Sequence, residues 1–124
     1  MQLKNDFYQI ESEQNTEKGF LYQLKLNASH FIYEAHFPSH PITPGVCVVQ
    51  IALELLSQQL QKRLEITKVN NLKFVSLLSP VDTPEVVYDF QNVKEDEESQ
   101  IKSQVIVRFN DIVYAKISIT CKIV

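Results

Sequence analysis

HFPSHPITPGVCVVQIALE, residues 36–54, is the stretch whose reading decides the fold. It opens with a histidine and a loop holding Pro38, Pro41 and Pro44, turns through Gly45, and enters an apolar run interrupted by Gln50 and Glu54. Val46, Val49, Leu53, Leu56 and Leu60 recur at the i, i+3, i+4, i+7 spacing of a helix, which predicts one from Val46 to about Arg63. Cys47, Val48, Ile51, Ala52 and Leu55 fill the other faces of its first three turns. A helix apolar nearly all round should be enclosed by other structure, while its last turn, QQLQKR, should be solvated. Thr43 suits the N-cap, Pro44 the first helical position, and Gly45 then lies in the first turn.

Outward from this helix the pattern changes to period two. Val86, Tyr88 and Phe90 alternate with other residues, as do Val105, Val107 and Phe109. A longer strand runs from Val113 through Ala115, Ile117, Ile119 and Cys121 to Ile123, and Asn110-Asp111 is a tight turn leading into it. Phe20, Tyr22, Leu24 and Leu26 alternate after the turn-like NTEKG. The acidic run KEDEES at 94–99 reads as a solvated hairpin loop. One buried helix wrapped by an antiparallel sheet is an α+β domain, expected to span residues 1–124 as a single unit.

The composition bounds the function. With 44% hydrophobic and 22% charged residues and a net charge of −3, the chain is a globular type without the basic footprint that nucleic acid requires. It holds no apolar run long enough for a transmembrane helix, and MQLKNDFYQIESEQ lacks the apolar stretch of a secretory signal, so a cytoplasmic location is expected. Cys47 and Cys121 sit in apolar segments and read as buried free thiols. No His/Cys cluster has metal-ligand spacing, so no metal is expected.

Four residues stand out chemically. His36 precedes a stiff proline loop that can hold an imidazole near the helix start, whereas His40 reads as loop surface and His30 as a turn residue. HFIYEAHF before the loop reads as strand-like. Gly45, one of only two glycines, is either an oxyanion donor through its exposed N–H or simply a tight loop-to-helix junction. Gln50 and Glu54 are four apart on one helix face. They are either structural groups whose hydrogen bonds are satisfied, for example across a dimer interface, or they line a cavity.

The same stretch resembles the signature of the hotdog-fold 3-hydroxyacyl-[acyl-carrier-protein] dehydratases, the FabZ-like group, approximately HFPGxPxxPGVxxxEAxAQ. The likeness extends upstream through LNASHFIYEA and downstream to NNLKFVSLLSPV, similar to that group's VRFRRPV-like segment. It implies a hotdog fold, with His36 as the catalytic histidine and Gly45 as the donor to the thioester carbonyl. Phe37, Pro44 and Val46 would contact substrate. Gln50 stands where the group has its catalytic acid and Glu54 where it has a glutamine, so acid and amide have exchanged places; Ala35 replaces a common glycine.

The chemistry so implied is elimination of water from a β-hydroxyacyl thioester, with no cofactor beyond the phosphopantetheine that carries the substrate. His36 takes the α proton and Gly45 stabilises the charge on the thioester oxygen. The departing hydroxyl is protonated either by His36 with Gln50 orienting it, or by a buried, protonated Glu54. Otherwise the chain is a non-catalytic hotdog subunit beside a competent partner, or an acyl thioesterase. The implied partners are an acyl carrier protein, for which Lys62, Arg63, Lys68 and Lys73 are docking candidates, and a second hotdog chain. The latter would form a homodimer, a higher oligomer of dimers or a mixed dimer, with histidine and acid supplied by opposite subunits.

Overall fold

The structure is a computed structural model that describes residues 2–124. Its strands are β1 (Tyr8–Asn15), β2 (Gly19–Leu26), β3 (Leu64–Phe74), β4 (Glu85–Glu95), β5 (Gln100–Phe109) and β6 (Ile112–Ile123), with helices α1 (Ile32–Ala35) and α2 (Gly45–Leu60). They form one antiparallel sheet in the order β1-β2-β4-β5-β6-β3, wrapped around α2. This is the α+β hotdog fold. The inner strands hold their apolar faces on the helix: Leu24, Val86, Tyr88, Phe90, Val105, Val107, Ile117 and Ile119 are all buried. Asn110 takes a left-handed conformation, φ 52°, in the two-residue turn between β5 and β6. The acidic run closes the β4–β5 hairpin, where Asp96 Oδ1 accepts from the N–H groups of Glu98 and Gln100. Gly19 is required by close approach, because a Cβ there would lie 2.2 Å from the Phe90 carbonyl oxygen.

Several expectations need correction. Among residues of α2, the buried stripe is Cys47, Val48, Ile51, Ala52, Leu55 and Leu56, while Val46 is 67% exposed and Val49 and Leu53 are half-buried. The helix is therefore not enclosed on every side within this chain. It ends three residues before Arg63, because Gln61 turns left-handed (φ 53°) and the Lys62 N–H donates back to the Ser57 carbonyl. The N-cap is Pro44 rather than Thr43. Thr43 is buried, its hydroxyl engaged with the Tyr33 hydroxyl at 2.8 Å and its N–H donating to the Leu78 carbonyl. The strand-like reading of HFIYEAHF gives way to the single helical turn α1, whose buried Tyr33 stacks on Phe7 at 5.2 Å.

Candidate active site

Three segments meet at the amino end of α2. The loop after α1 brings His36 and Phe37; α2 and its N-cap bring Gly45, Val48 and Pro44; the end of β3 and the chain beyond it bring Phe74, Ser76 and Leu78, with Tyr114 of β6 also in the lining. Together they line a predominantly apolar cavity of about 270 Å³. The loop is braced internally, with the N–H groups of Phe37 and His40 each donating to the other residue's carbonyl and Ile42 N–H donating to the His36 carbonyl at 2.8 Å. His36, Phe37, Pro44 and Gly45 are thus brought together as the sequence predicts. Val46 is not: it points outward, away from the cavity lining.

The first intrahelical bonds of α2 run from the Cys47 and Val48 N–H groups to the Pro44 carbonyl, so the Gly45 and Val46 N–H groups precede the helical ladder. The helix dipole adds partial positive charge at this point. Directly above it lies the Phe74 ring. A Cβ built on Gly45 would come within 2.7 Å of Phe74 Cζ and 3.0 Å of its Cε2, so glycine is what lets the ring rest on the helix end. Phe74, itself 52% exposed, lines the same cavity as Gly45. Phe74 and Tyr114 are site residues that sequence reasoning did not single out. Tyr114 sets the cavity wall: its hydroxyl meets Thr83 Oγ1 at 2.7 Å, and its carbonyl accepts from the Val75 and Ser76 N–H groups.

Gln50 and Glu54 lie elsewhere. They line a second, more open hollow on α2 with Lys4, Lys62, Leu64 and Glu65. The Glu54 carboxylate receives four donors: Leu3 N–H at 2.8 Å and Gln50 Nε2 at 2.9 Å on Oε2, Lys4 N–H at 2.9 Å and the Tyr8 hydroxyl at 3.0 Å on Oε1. Those four bonds use the acceptor capacity of an ionised carboxylate. Burial, reinforced by the Glu54 charge, raises the Tyr8 phenol well above its ordinary range, which keeps it a donor. Glu54 is placed as an anchor for the amino-terminal segment and for the Gln50 amide, rather than at hydrogen-bonding distance from His36 in its own cavity.

The remaining candidates separate as follows. His30 is in a turn, but its ring is buried; Nε2 lies 3.3 Å from Asp6 Oδ2 and Nδ1 accepts from the Ile32 N–H. His40 is exposed. Cys47 and Cys121 are buried free thiols, raised by desolvation, Cys121 to about 11. Lys62 and Arg63 sit at the far end of α2, where Lys62 pairs with Glu95 at 3.3 Å, while Lys68 and Lys73 are exposed along β3. Among the described residues no cluster of His, Cys, Asp or Glu has the arrangement of a metal site, and no helix is long and apolar enough to cross a membrane.

Comparison with known proteins shows the family and the fold. The profile of the ApeI-like family, described as ApeI dehydratase, matches residues 11–113. No curated protein matches by sequence. Among solved structures the chain is similar to the dehydratase heterocomplex ApeI:P from Xenorhabdus doucetiae, with 16% identity over 92% of this chain and 96% of that one and a TM-score of 0.66. It is also similar to the thioesterase candidate yhdA from Lactococcus lactis, with 11% identity over 94% and 92% and a TM-score of 0.64. At such identities the likeness is one of fold.

Proposed function

As the chain belongs to the ApeI-like dehydratase family, we propose that it eliminates water from a 3-hydroxyacyl thioester carried on phosphopantetheine, giving the trans-2-enoyl thioester. The FabZ-like likeness of residues 36–54 is one of motif; the family is the ApeI-like one. The observation that carries the proposal is that His36 and Gly45 line one and the same predominantly apolar cavity at the amino end of α2. A neutral His36 removes the α proton, and the electron pair moves towards the thioester oxygen, where the Gly45 N–H and the helix dipole stabilise it. A donor of that kind is worth about 3–4 kcal/mol. As the enolate collapses, the β C–O bond breaks and the imidazolium returns its proton to the departing hydroxyl as water. An amide cannot deliver that proton but can orient the hydroxyl; Gln50 lines a separate hollow within one chain, so this role falls to the Gln50 of a second hotdog chain set beside the cavity. Glu54 is a positioning residue that acts through Gln50.

An acyl carrier protein is the proposed source of the substrate. Of the four basic candidates Lys73 is nearest to the cavity in sequence, adjacent to Phe74. A second reading, a non-catalytic hotdog subunit, is favoured by one observation: the position expected to hold an acid is an amide that donates to Glu54. Incubation with 3-hydroxyacyl carrier substrates of several lengths, followed by product analysis, tests both. Enoyl thioester and water support elimination. Free acid and thiol make the protein a thioesterase, and binding without turnover makes it the non-catalytic subunit.

A further inference from the structure

The turn α1 cannot hold its own orientation. It has four residues, and forming a first helical turn is unfavourable by itself. Its N-cap, Phe31, makes no side-chain cap; the Ile32 N–H donates instead to Nδ1 of His30. Packing must therefore place it, and its one buried residue is Tyr33, 3% exposed and stacked on Phe7. His36 is the C-cap of the same turn, its N–H donating to the Ile32 carbonyl at 3.2 Å. Whatever fixes Tyr33 thus fixes the start of the segment that carries the imidazole.

Apolar burial is non-directional, whereas a hydrogen bond sets both a distance and an angle. The Tyr33 hydroxyl lies 2.8 Å from Thr43 Oγ1, and Thr43 is itself 5% exposed. Thr43 stands two residues before Gly45 and belongs to the lining of the same cavity. Its N–H donates to the Leu78 carbonyl at 2.8 Å, which ties it to the chain beyond β3 as well. The hydroxyl pair therefore joins the arm that bears His36 to the arm that bears Gly45. A second bond crosses beside it, from the Ile42 N–H to the His36 carbonyl. One link between two arms leaves a pivot; two fix the angle. The core has no need of these hydroxyls, because Phe and Val would fill the same space with no buried polar group to satisfy.

We propose that Tyr33 and Thr43 are positioning residues whose shared hydrogen bond holds the His36 imidazole at a fixed distance and angle from the Gly45 N–H. The inference rests on the proposed elimination. In the substrate the α carbon is bonded to the thioester carbonyl carbon, so base and oxyanion donor must keep a matching separation. A misplacement of about 1 Å can cost 10²-fold in rate. Tyr33 acts through His36, and Thr43 acts through Gly45. Burial pushes the Tyr33 phenol up to about 12, so the brace stays protonated through neutral and mildly alkaline pH.

The test separates geometry from stability. Y33F or T43V alone strands one buried hydroxyl and should lower Tm. The double variant Y33F/T43V replaces both groups by apolar ones of similar shape and should melt within about 2 °C of the native protein. If the pair were merely structural, turnover would return together with Tm. The brace predicts instead that kcat of the double variant stays roughly 10–100-fold low while KM changes less than about twofold. T43S keeps the hydroxyl and should keep native kcat. Native kcat in Y33F/T43V, or a loss in T43S as large as that in T43V, would overturn the inference. A second readout needs no turnover. The chain has two glycines, so labelling the glycine nitrogens alone gives one amide signal for Gly45 and one for Gly19, a reference in β2. In Y33F/T43V the Gly45 signal should broaden by exchange on the μs–ms scale while Gly19 stays sharp. A Gly45 signal as sharp as in the native protein would overturn the brace. Broadening at Gly45 in a protein whose native form converts no substrate would leave the brace standing and remove the dehydratase proposal.

Discussion

E54Q separates an anchoring carboxylate from a proton donor. Each oxygen of Glu54 accepts one backbone N–H and one side-chain donor. Placing an amide nitrogen at Oε2 confronts the Leu3 N–H, and placing it at Oε1 confronts the Lys4 N–H. Either way one backbone donor is stranded and the other bonds lose their charge assistance. Hydrogen bonds to charged groups contribute about 1.5–3 kcal/mol each, so the loss should total roughly 2–4 kcal/mol. With an unfolding entropy near 2.1 cal/mol/K per residue, a chain of 124 residues loses about 4 °C of Tm per kcal/mol, so the variant should melt roughly 8–15 °C lower. Amide exchange should show protection lost at Leu3 and Lys4. At a temperature where the variant is folded, turnover should fall by less than about tenfold, whereas deletion of a general acid typically removes 10²–10⁴. An unchanged Tm with a thousand-fold loss of turnover would refute the anchoring role and make Glu54 the acid.

Two further outcomes follow from the geometry. G45A should fold, because the nearest atoms to the added Cβ are those at the far edge of the exposed Phe74 ring, but it should lower kcat/KM at least tenfold by crowding the carbonyl's approach; G45A paired with F74A should recover ring space without recovering that loss, and full recovery would move the role from Gly45 to Phe74. Stability should begin to fall as the pH rises through about 9, where buried Cys121, raised from 9.0 to about 11, keeps a proton that the unfolded chain loses, and should fall more steeply above 10. Burial raises Tyr33 to about 12 and Tyr88 well above the ordinary 10.0, so above pH 10 the unfolded chain loses protons that the native chain keeps. The slope is up to about 1.4 kcal/mol per pH unit for each such tyrosine; urea midpoints that do not change between pH 9 and 11 would contradict it.

How legible the sequence was depends on burial. The inner strands carry one wet face and one dry face, so Val86, Tyr88 and Phe90 or Val105 and Val107 declare themselves by alternation. The edges do not. In β1 nearly every residue is exposed, and in β3 two irregularities move the apolar residues to 64, 66, 69, 72 and 74, a spacing that matches no simple period. The helix α2 was plain, but its inward face was not, because a segment apolar on all sides offers several stripes. Val46 heads one of them and lies outside. Within the site, His36 and Gly45 were legible through their local setting. Phe74 was not, since its role depends on a ring from β3 settling on a glycine 29 positions earlier, a contact that no local pattern encodes. Glu54 was legible as an anomaly, though its partners at Leu3 and Lys4 lie about fifty residues away.

The central claim is that His36, set beside the amino end of α2, abstracts the α proton of a 3-hydroxyacyl thioester. Its most direct test compares steady-state formation of the enoyl thioester by the native protein and by H36A, with melting curves for both. Because the side chain is exposed, the variant should melt within about 2 °C of the native protein while kcat/KM falls by about 10²–10⁴. Equal turnover by native protein and H36A, both folded, would contradict the account.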